Sequence, residues 1–337
     1  MPEKPDIRDV ARRAGVSVGT VSNVLNRPDL VAATTRARVE GALADLHYVR
    51  NESARQLRRG QSRTVGLIVP DIANPFFTDV ARGIEEVTRA ADALVIVCNS
   101  DNEASNDLRY LRMLAEHQVL GVLHVPAGAS ASSTSRARER ATRVVLLDHK
   151  SRTTGQCSVS VNDVHGGELA TTHLLKAGHR RIGFVGAGTS RARQVIDRLA
   201  GARRAMVAAG RNSDDLVVLD APLLNVPGGV AAARDLLRLG VRKRPTAVAC
   251  VNDLLAIGML QELLRGGVQV PGDVAIVGYD DIAFAAVSAV PLTSVRQPRI
   301  DLGRRAATLL LDEAFNPHHE HRRDEFEPEL IVRESSG

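Results

Sequence analysis

The chain has 337 residues, enough for two or three domains, and its 44% hydrophobic and 25% charged residues argue against a disordered protein. No apolar run has the roughly 18–20 residues of a membrane span. With no secretory signal and three scattered cysteines, we expect a cytoplasmic protein with no membrane partner and no disulfide framework. The net charge of +5 arises within residues 1–64, which hold twelve Lys and Arg against seven Asp and Glu. A small basic module is thus joined to a larger neutral one, and this distribution predicts that the basic module binds a polyanion.

Residues 1–49 predict three short helices joined by tight turns. Asp6 is placed to cap the first helix, Ser17 the second, and Thr34 or Thr35 the third. Apolar residues recur at helical spacing in each segment, and Gly15 interrupts the chain between the first two. Helix, glycine turn and helix form the helix-turn-helix arrangement.

The second of these helices has a small, polar outward face. The residues on that face are Val18, Gly19, Ser22 and Asn23. Such a face fits the major groove of DNA. A three-helix bundle that binds nothing would have the same spacing of apolar residues. The surplus of basic residues in this segment favours DNA binding over that alternative.

Residues 50–62 predict a linker between the two modules. They contain good helix formers, but about two helical turns are too short to be stable alone in water. Leu57 is the one large apolar residue among several arginines. The segment is either a solvated linker or a linker that becomes helical on DNA.

From residue 64 onward, short apolar runs alternate with amphipathic helices. The predicted strands are 64–70, 94–98, 121–125, 144–147, 158–161, 182–185, 216–219, 247–251 and 274–277, and the predicted helices are 76–91, 105–118, 166–177, 191–209, 228–239 and 254–265. This alternation is typical of parallel sheets with helices on both faces. The fold class is therefore an all-α helix-turn-helix domain plus an α/β core of two doubly wound parallel-sheet subdomains.

Polar residues follow several of the predicted strands, where open α/β sheets bind their ligands. These residues are Asp71, Asn74, Asn162, Asp163, Asn252, Asp253, Asp280 and Asp281. Carboxylates and amides accept hydrogen bonds from vicinal hydroxyls, and an arginine donates to them, so such a cleft suits a polyhydroxylated ligand. Taken singly, each Asp would equally serve as a helix N-cap.

Two adjacent aromatic residues, Phe76 and Phe77, follow Asn74-Pro75. We expect one ring to enter the core and the other to cover the apolar face of a sugar or a base.

Other motifs are weaker. The run 185–188 resembles the start of a dinucleotide loop, but Arg191 stands where the last glycine of that motif belongs. The histidine-rich run 318–321 lacks a regular metal-ligand spacing, which favours a solvated loop. We find no nucleophile motif and no acid/base pair, so we expect neither catalysis nor a cofactor.

The chain resembles the lactose/galactose-repressor family over its whole length. The motifs that carry the resemblance are IRDVARRAGVS at 7–17, TVSNVLN at 20–26, LHY at 46–48, ARQL at 54–57, NPFF at 74–77, GHRRI at 178–182, DRLAG at 197–201, VPGDV at 270–274, GYDD at 278–281 and QP at 297–298.

This resemblance implies a homodimeric repressor that reads the two halves of a pseudo-palindromic DNA operator. It implies a linker helix in the minor groove, with Leu57 as a wedge that kinks the duplex. The residues expected at DNA are Ser17, Val18, Gly19, Thr20, Ser22, Asn23, Asn26, Arg55, Leu57 and Arg58. Val18 and Gly19 offer the bases little, so direct readout depends mainly on Asn23.

The resemblance also implies a core like that of periplasmic sugar-binding proteins, with two subdomains and three crossovers. The expected domains are 1–49 for DNA binding, 50–62 for the hinge, and 63–337 for effector binding and dimerisation. Within the core, subdomain one comprises about 63–161 plus 296–325, and subdomain two about 162–295 plus 326–337.

The effector that the resemblance implies is a small molecule in the cleft between the subdomains, with a sugar favoured. The expected contacts are Asp71, Asn74, Phe76, Phe77, Arg198, Asn252, Asp253, Asp280 and Gln297. Two alternatives stay open: a regulator controlled by a purine or a partner protein, and a cytoplasmic sugar-binding protein.

Overall fold

The computed structural model describes residues 5–48, 62–128, 142–187, 192–221 and 223–337. The chain forms two compact units, Met1–Gln61 and Ser62–Gly337. No helix within the described ranges is long and apolar enough to cross a membrane. The hinge residues Arg55, Leu57 and Arg58 lie outside the described residues.

The first unit contains three α-helices: α1 (Ile7–Ala14), α2 (Val18–Asn26) and α3 (Ala33–Asp45). The two predicted N-caps are confirmed, because Asp6 accepts hydrogen bonds from the first turn of α1 and Ser17 accepts one from Thr20 N–H. The predicted cap of α3 at Thr34 or Thr35 is wrong. α3 begins after Ala32, so both threonines already lie inside its first turn and cannot cap it from there.

A glycine and an arginine fix the turn between α1 and α2. Gly15 has φ +63°, a left-handed conformation that L side chains rarely adopt. Its carbonyl oxygen and that of Ala14 accept hydrogen bonds from the Arg38 guanidinium on α3, at 3.0 and 2.6 Å. Val10, Val21 and other apolar residues from all three helices form the core below this turn.

The second unit contains two six-stranded sheets. The strands are β1 (Thr64–Val69), β2 (Leu94–Asn99), β3 (Gly121–His124), β4 (Val144–Leu147), β5 (Ser158–Val161), β6 (Ile182–Val185), β7 (Val217–Leu219), β8 (Ala247–Cys250), β9 (Ala275–Asp280), β10 (Thr293–Arg296), β11 (Arg323–Phe326) and β12 (Glu329–Ile331). Sheet one has the order β11-β5-β4-β3-β1-β2, and sheet two the order β12-β10-β9-β8-β6-β7. All strand pairs are parallel except β10 with β12.

The chain passes between the two sheets after β5, after β10 and after β11. The helices of the second unit are α4 (Pro75–Ala90), α5 (Ala104–Glu116), α6 (Asp163–Lys176), α7 (Arg193–Ala208), α8 (Val226–Arg238), α9 (Asp253–Arg265), α10 (Ala283–Ala286) and α11 (Arg299–Phe315). Each sheet has its own buried apolar core. The fold class predicted from the alternating pattern is therefore present.

The loop 316–322 differs from the prediction of a solvated segment at one residue. The His319 side chain is only 5% exposed and its ring nitrogen Nδ1 lies 2.7 Å from Asp312 Oδ2. Its ring packs edge-to-face on His321, with the centroids 5.1 Å apart. These two contacts hold the His319 ring against the protein.

Glycines allow the closest helix contacts of the second unit. Gly83 on α4 faces the backbone of Ile300 on α11, and Gly303 on α11 faces the backbone of Val80 on α4. A Cβ atom at either glycine would overlap a backbone carbonyl oxygen of the other helix. The same reciprocal arrangement joins α6 to α7 and α8 to α9.

We predict that Gly303→Ala destabilises the core by about 1–3 kcal/mol, because backbone cannot move aside as a flexible side chain can. The measurement is the urea midpoint of the purified chain. Gly240→Ala is the matched control, since a Cβ there meets nothing within 4 Å. Equal midpoints for the two variants would contradict the packing argument.

Candidate functional site

A cavity of about 490 Å³ lies where the carboxyl ends of strands from both sheets meet. Its volume is within the range of about 300–1,000 Å³ that is usual for small-molecule sites. Eight of the nine residues expected at the effector line it: Asp71, Asn74, Phe76, Phe77, Arg198, Asn252, Asp280 and Gln297.

Arg198 on α7 is the central cation of this cavity, although it is only 6% exposed. Its Nε donates to Asp163 Oδ1 at 2.7 Å and its Nη1 to the Val251 carbonyl oxygen at 2.6 Å. The guanidinium carbon lies 3.6 Å from the centroid of the Tyr279 ring. Burial lowers the pKa of Arg198, but Asp163, Tyr279, Asp280 and Asp148 together outweigh it and the net shift is upward. The guanidinium is therefore held rigidly and stays charged.

Asp280 at the end of β9 is the acid next to this cation. Its Oδ1 accepts a hydrogen bond from Gln297 Nε2 at 2.7 Å and lies 3.9 Å from Arg198 Nη1. Burial raises the pKa of Asp280 to about 6, and Arg198 and Gln297 oppose part of that shift. Asp280 therefore changes charge close to neutral pH.

Two further residues that line the cavity, Asp148 and Gln194, are not among the contacts predicted from the sequence. Asp148 directly follows β4, so the rule of polar residues at strand ends would have found it. Gln194 Nε2 donates to the carbonyl oxygen and to Oδ2 of Asp148, at 2.6 and 3.0 Å. Burial and the nearby Asp163 carboxylate raise the pKa of Asp148 well above its usual value. This contact joins the strand end of sheet one to α7, which packs on sheet two.

Two buried acceptor atoms of the cavity residues have no hydrogen-bond partner within the described part of the chain. They are Asp148 Oδ1 and Gln297 Oε1. Buried polar atoms are rarely left unpaired in folded proteins, so each marks a place for a ligand group or a water.

Asp253 is the one expected contact that the structure does not bring to the cavity. Its carboxylate accepts hydrogen bonds from Ser294 Oγ at 2.6 Å and from Ile282 N–H at 2.8 Å. Burial raises its pKa well above the usual value. The Asp253 side chain instead joins α9 to β10 and to the loop after β9. Its role is therefore structural.

The aromatic pair also differs from the expectation of one core ring and one ligand ring. Phe76 and Phe77 are 2% and 8% exposed, and both belong to the core of sheet one. They pack edge-to-face with centroids 5.0 Å apart, which lets adjacent helical residues share the same core. Both still contribute to the cavity wall.

Asn74 and Asn252 serve both as cavity residues and as helix N-caps, the two roles expected for polar residues at strand ends. Each lines the cavity and each is also a helix N-cap, with Asn74 accepting from Phe76 N–H and Asn252 from Leu255 N–H. The side-chain oxygens of both residues therefore already accept hydrogen bonds from backbone N–H groups when no ligand is bound.

The candidate DNA face lies on α2. Val18, Gly19, Asn23 and Asn26 are exposed on this helix, whereas Thr20 and Ser22 are half-buried. Ser17 lies at its N-terminus, with Oγ 3.1 Å from Thr20 N–H. α2 carries no charged side chain, so its positive helix end is not offset by a local acid.

Three known proteins show high similarity to this chain. "HTH-type transcriptional repressor PurR" of Photobacterium profundum is 34% identical over 330 residues, which are 98% of each chain. The "transcriptional regulator CelR-cellobiose complex" has 30% identity and a TM-score of 0.72, covering 98% of this chain and 99% of that one. A LacI family transcriptional regulator from Enterococcus faecium with bound ribose has 29% identity and a TM-score of 0.74, covering 81% and 98%.

Two family models match the chain, one in each unit. Residues 6–51 match "Bacterial regulatory proteins, lacI family", and residues 171–336 match "Periplasmic binding protein-like domain". The chain belongs to the LacI family. As a LacI-family protein, it is a DNA-binding transcriptional regulator controlled by a small molecule. The cavity lies in the periplasmic-binding-protein-like core, and α2 lies in the helix-turn-helix domain.

The raised pKa of Asp280 predicts a pH-dependent difference in stability. An unfolded Asp ionises near pH 4, whereas the pKa of folded Asp280 is about 6. Between these values the folded state binds more protons, so the contribution of Asp280 to the free energy of unfolding falls as the pH rises and is constant above about pH 6.

We therefore expect wild type to lose up to about 3 kcal/mol relative to Asp280→Asn between pH 4 and pH 7. Urea unfolding of both proteins across this range measures the difference. Asp214→Asn, at an exposed site, is the control for the pH series. A wild-type-minus-variant difference that stays constant with pH would contradict the assignment.

Proposed function

We propose that this LacI-family regulator is a dimeric repressor of a pseudo-palindromic operator and that its effector is a neutral sugar bound in the cavity. The observation that carries the proposal is that two buried acceptors, Asp148 Oδ1 and Gln297 Oε1, have no hydrogen-bond partner among the described residues. A hydroxyl group both donates and accepts, so vicinal hydroxyls would satisfy either atom in either protonation state of Asp148.

The charges of the cavity wall favour a neutral ligand over an anion. Arg198 is the one cationic side chain on this wall among the described residues, and it is already bound to Asp163. The acidic wall residues are Asp71, Asp101, Glu103, Asp148 and Asp280. A sugar phosphate or a nucleotide would place its negative charge among these acids at a cost.

The relatives add support for a sugar. Of the similar structures, one binds cellobiose and another binds ribose. A purine is the second candidate, because the two phenylalanines on the wall offer an apolar surface to a flat ring.

The test is a thermal melt of the full chain against a panel that contains ribose, cellobiose, ribose 5-phosphate and hypoxanthine. A ligand at a hundred times its Kd adds about 2.7 kcal/mol, which moves the melting temperature by several degrees. We expect a neutral sugar to shift it. A shift by hypoxanthine or ribose 5-phosphate alone would contradict the proposal.

Two adjacent carboxylates provide a matched pair for this panel. Asp280→Asn removes the cavity carboxylate, and we expect the ligand shift to disappear. Asp281→Asn changes a buried carboxylate that binds Arg296 and Arg333 and does not line the cavity, so we expect the shift to remain. The same shift in both variants would contradict the cavity as the effector site.

For DNA, we propose that the exposed residues of α2 contact base edges, with Ser17, Val18, Gly19, Thr20, Ser22 and Asn26 around Asn23. Asn23 is exposed, and an asparagine amide can bind adenine through two hydrogen bonds. We propose phosphate contacts for Arg55 and Arg58 and a minor-groove wedge for Leu57, as the family resemblance implies.

We predict that Asn23→Ala weakens binding to the selected operator by about 1–3 kcal/mol and leaves affinity for random duplex unchanged. Fluorescence anisotropy measures both affinities after the operator has been selected from a random library. An equal loss on both duplexes would indicate a phosphate contact or a folding defect instead of base reading.

We also propose that the dimer forms along the outer edge of sheet one. β2 is the terminal strand of that sheet, and its side chains Leu94, Ile96 and Val97 are 65%, 42% and 42% exposed. An exposed apolar edge strand favours association with another chain. A second copy is the occupant that a two-half operator requires.

Ile96→Asp should convert the dimer to a monomer, because it places a charge in an apolar interface. Sedimentation equilibrium measures the mass. Val241→Asp is the control, since Val241 is 79% exposed and lies in the loop between α8 and β8, a strand of the other sheet. A fully dimeric Ile96→Asp variant would contradict this surface.

The finer organisation is part of the same proposal. We propose the domains 1–49, 50–62 and 63–337, with the core divided into 63–161 plus 296–325 and 162–295 plus 326–337. The crossovers after β5, β10 and β11 support this division. We further propose that the protein acts in the cytoplasm by binding and not by catalysis, which is supported by its membership in a family of regulators.

A further inference from the structure

Four side chains of metal-ligand type converge at the end of α11, outside the effector cavity. They are Cys157, Glu313, His319 and His321, whose ligand atoms all lie within 4.8 Å of one another. Cys157 directly precedes β5, Glu313 is on α11, and the two histidines are on the loop that leads into β11. Residues far apart in the sequence therefore meet at one point.

The distances within this cluster match a four-coordinate metal site. Cys157 Sγ lies 3.3 Å from His319 Nε2 and 3.6 Å from His321 Nδ1. Zinc binds thiolate at about 2.3 Å and imidazole at about 2.0–2.1 Å, so sulfur and nitrogen ligands at a tetrahedral zinc lie about 3.6 Å apart. The two observed sulfur–nitrogen distances, 3.3 and 3.6 Å, are close to this ligand spacing.

A neighbouring carboxylate orients one of the histidines. Asp312 Oδ2 lies 2.7 Å from His319 Nδ1. A carboxylate only accepts when ionised, so it holds the proton on Nδ1 and directs the lone pair of Nε2 toward Cys157. Metal-binding histidines usually have such a partner on their second nitrogen.

The fourth side chain has an unused acceptor. Glu313 Oε2 is buried and has no hydrogen-bond partner in the described part of the chain. A buried carboxylate oxygen without a donor is costly, and a bound cation would satisfy it.

We propose that Cys157, Glu313, His319 and His321 form a structural Zn²⁺ site. Thiolate and imidazole ligands favour zinc over magnesium or calcium, and four protein ligands leave no open position for catalysis. The ion joins α11, the start of β5 and the loop before β11. Because β11 leads directly into β12 of sheet two, the site fixes the last crossover between the sheets.

The experiment uses the full chain, expressed without a histidine tag and stripped with a chelator. Zinc is titrated against a chromophoric competitor, and cobalt is used as a spectroscopic substitute. We expect one zinc per chain with Kd below about 1 µM, a melting temperature several degrees higher with zinc, and a thiolate-to-cobalt charge-transfer band. Absence of stoichiometric zinc binding, or cobalt binding without that band, would overturn the proposal.

Variants separate this site from adventitious binding. Asp312→Asn should weaken zinc binding about 10–100-fold, and His321→Ala by at least as much. His321 is exposed, so its removal should leave the apo fold intact even if Cys157→Ser does not fold. His318→Ala is the matched control, because His318 is exposed beside the cluster but is not part of it. Zinc affinity that falls in His318→Ala and not in His321→Ala would also overturn the proposal.

Discussion

The core is organised around a buried positive charge. A guanidinium in the protein interior needs acceptors for its N–H groups, or its desolvation would destabilise the fold by several kcal/mol. Arg198 obtains them from Asp163 on α6 and from the carbonyl oxygen of Val251 after β8, and it stacks on Tyr279 of β9. These partners come from separate elements of sheet two and its helices, so satisfying one charge fixes their mutual positions. The arrangement leaves the edge of Arg198 and the carboxylate of Asp280 facing the cavity.

The same cavity is where the two halves of the core touch. Gln194 reaches Asp148, and Arg299 on α11 binds Asp79 on α4 at 2.9 Å while also donating to the carbonyl oxygen of Asp280. A ligand in the cavity, which is lined by Asp148 from one half and by Gln194 and Arg198 from the other, adds contacts to both halves at once. Since a ligand shifts a conformational equilibrium only through its different affinity for the two states, contacts to both halves are what a cleft-based switch requires.

Much of the fold could be predicted because local pattern and burial agree. β4, β5 and β6 have the predicted bounds: β4 and β6 are short apolar runs buried on both faces, and β5 is a fully buried strand in which serine alternates with valine. β10, β11, β12 and helix α11 were not predicted; β11 reads Arg-Asp-Glu-Phe and is stabilised by its pairing with β5, a long-range contact that leaves no apolar pattern. Helix α10 was not predicted either, because its four residues are too few to show a helical period.

The cavity residues could be predicted where a position at the end of a strand is enough to place a side chain in the cavity. Asp280 and Asp253 both follow strands, yet only Asp280 lines the cavity, because the partner of Asp253 is Ser294, forty-one residues away in sequence. No local pattern distinguishes these two acids. The proposed zinc ligands have no signature in the sequence for the same reason, since Cys157 meets the histidines only after β5 and β11 pair.

Coupling between the cavity and the operator tests the account most directly. Operator affinity is measured by anisotropy for wild type and Asp280→Asn, with and without the panel sugar that shifts the melting temperature. We predict a change of about 5–150-fold in the operator Kd of wild type on adding sugar, and no change in Asp280→Asn. A full sugar response in Asp280→Asn, or no response in wild type that binds the sugar, would contradict it.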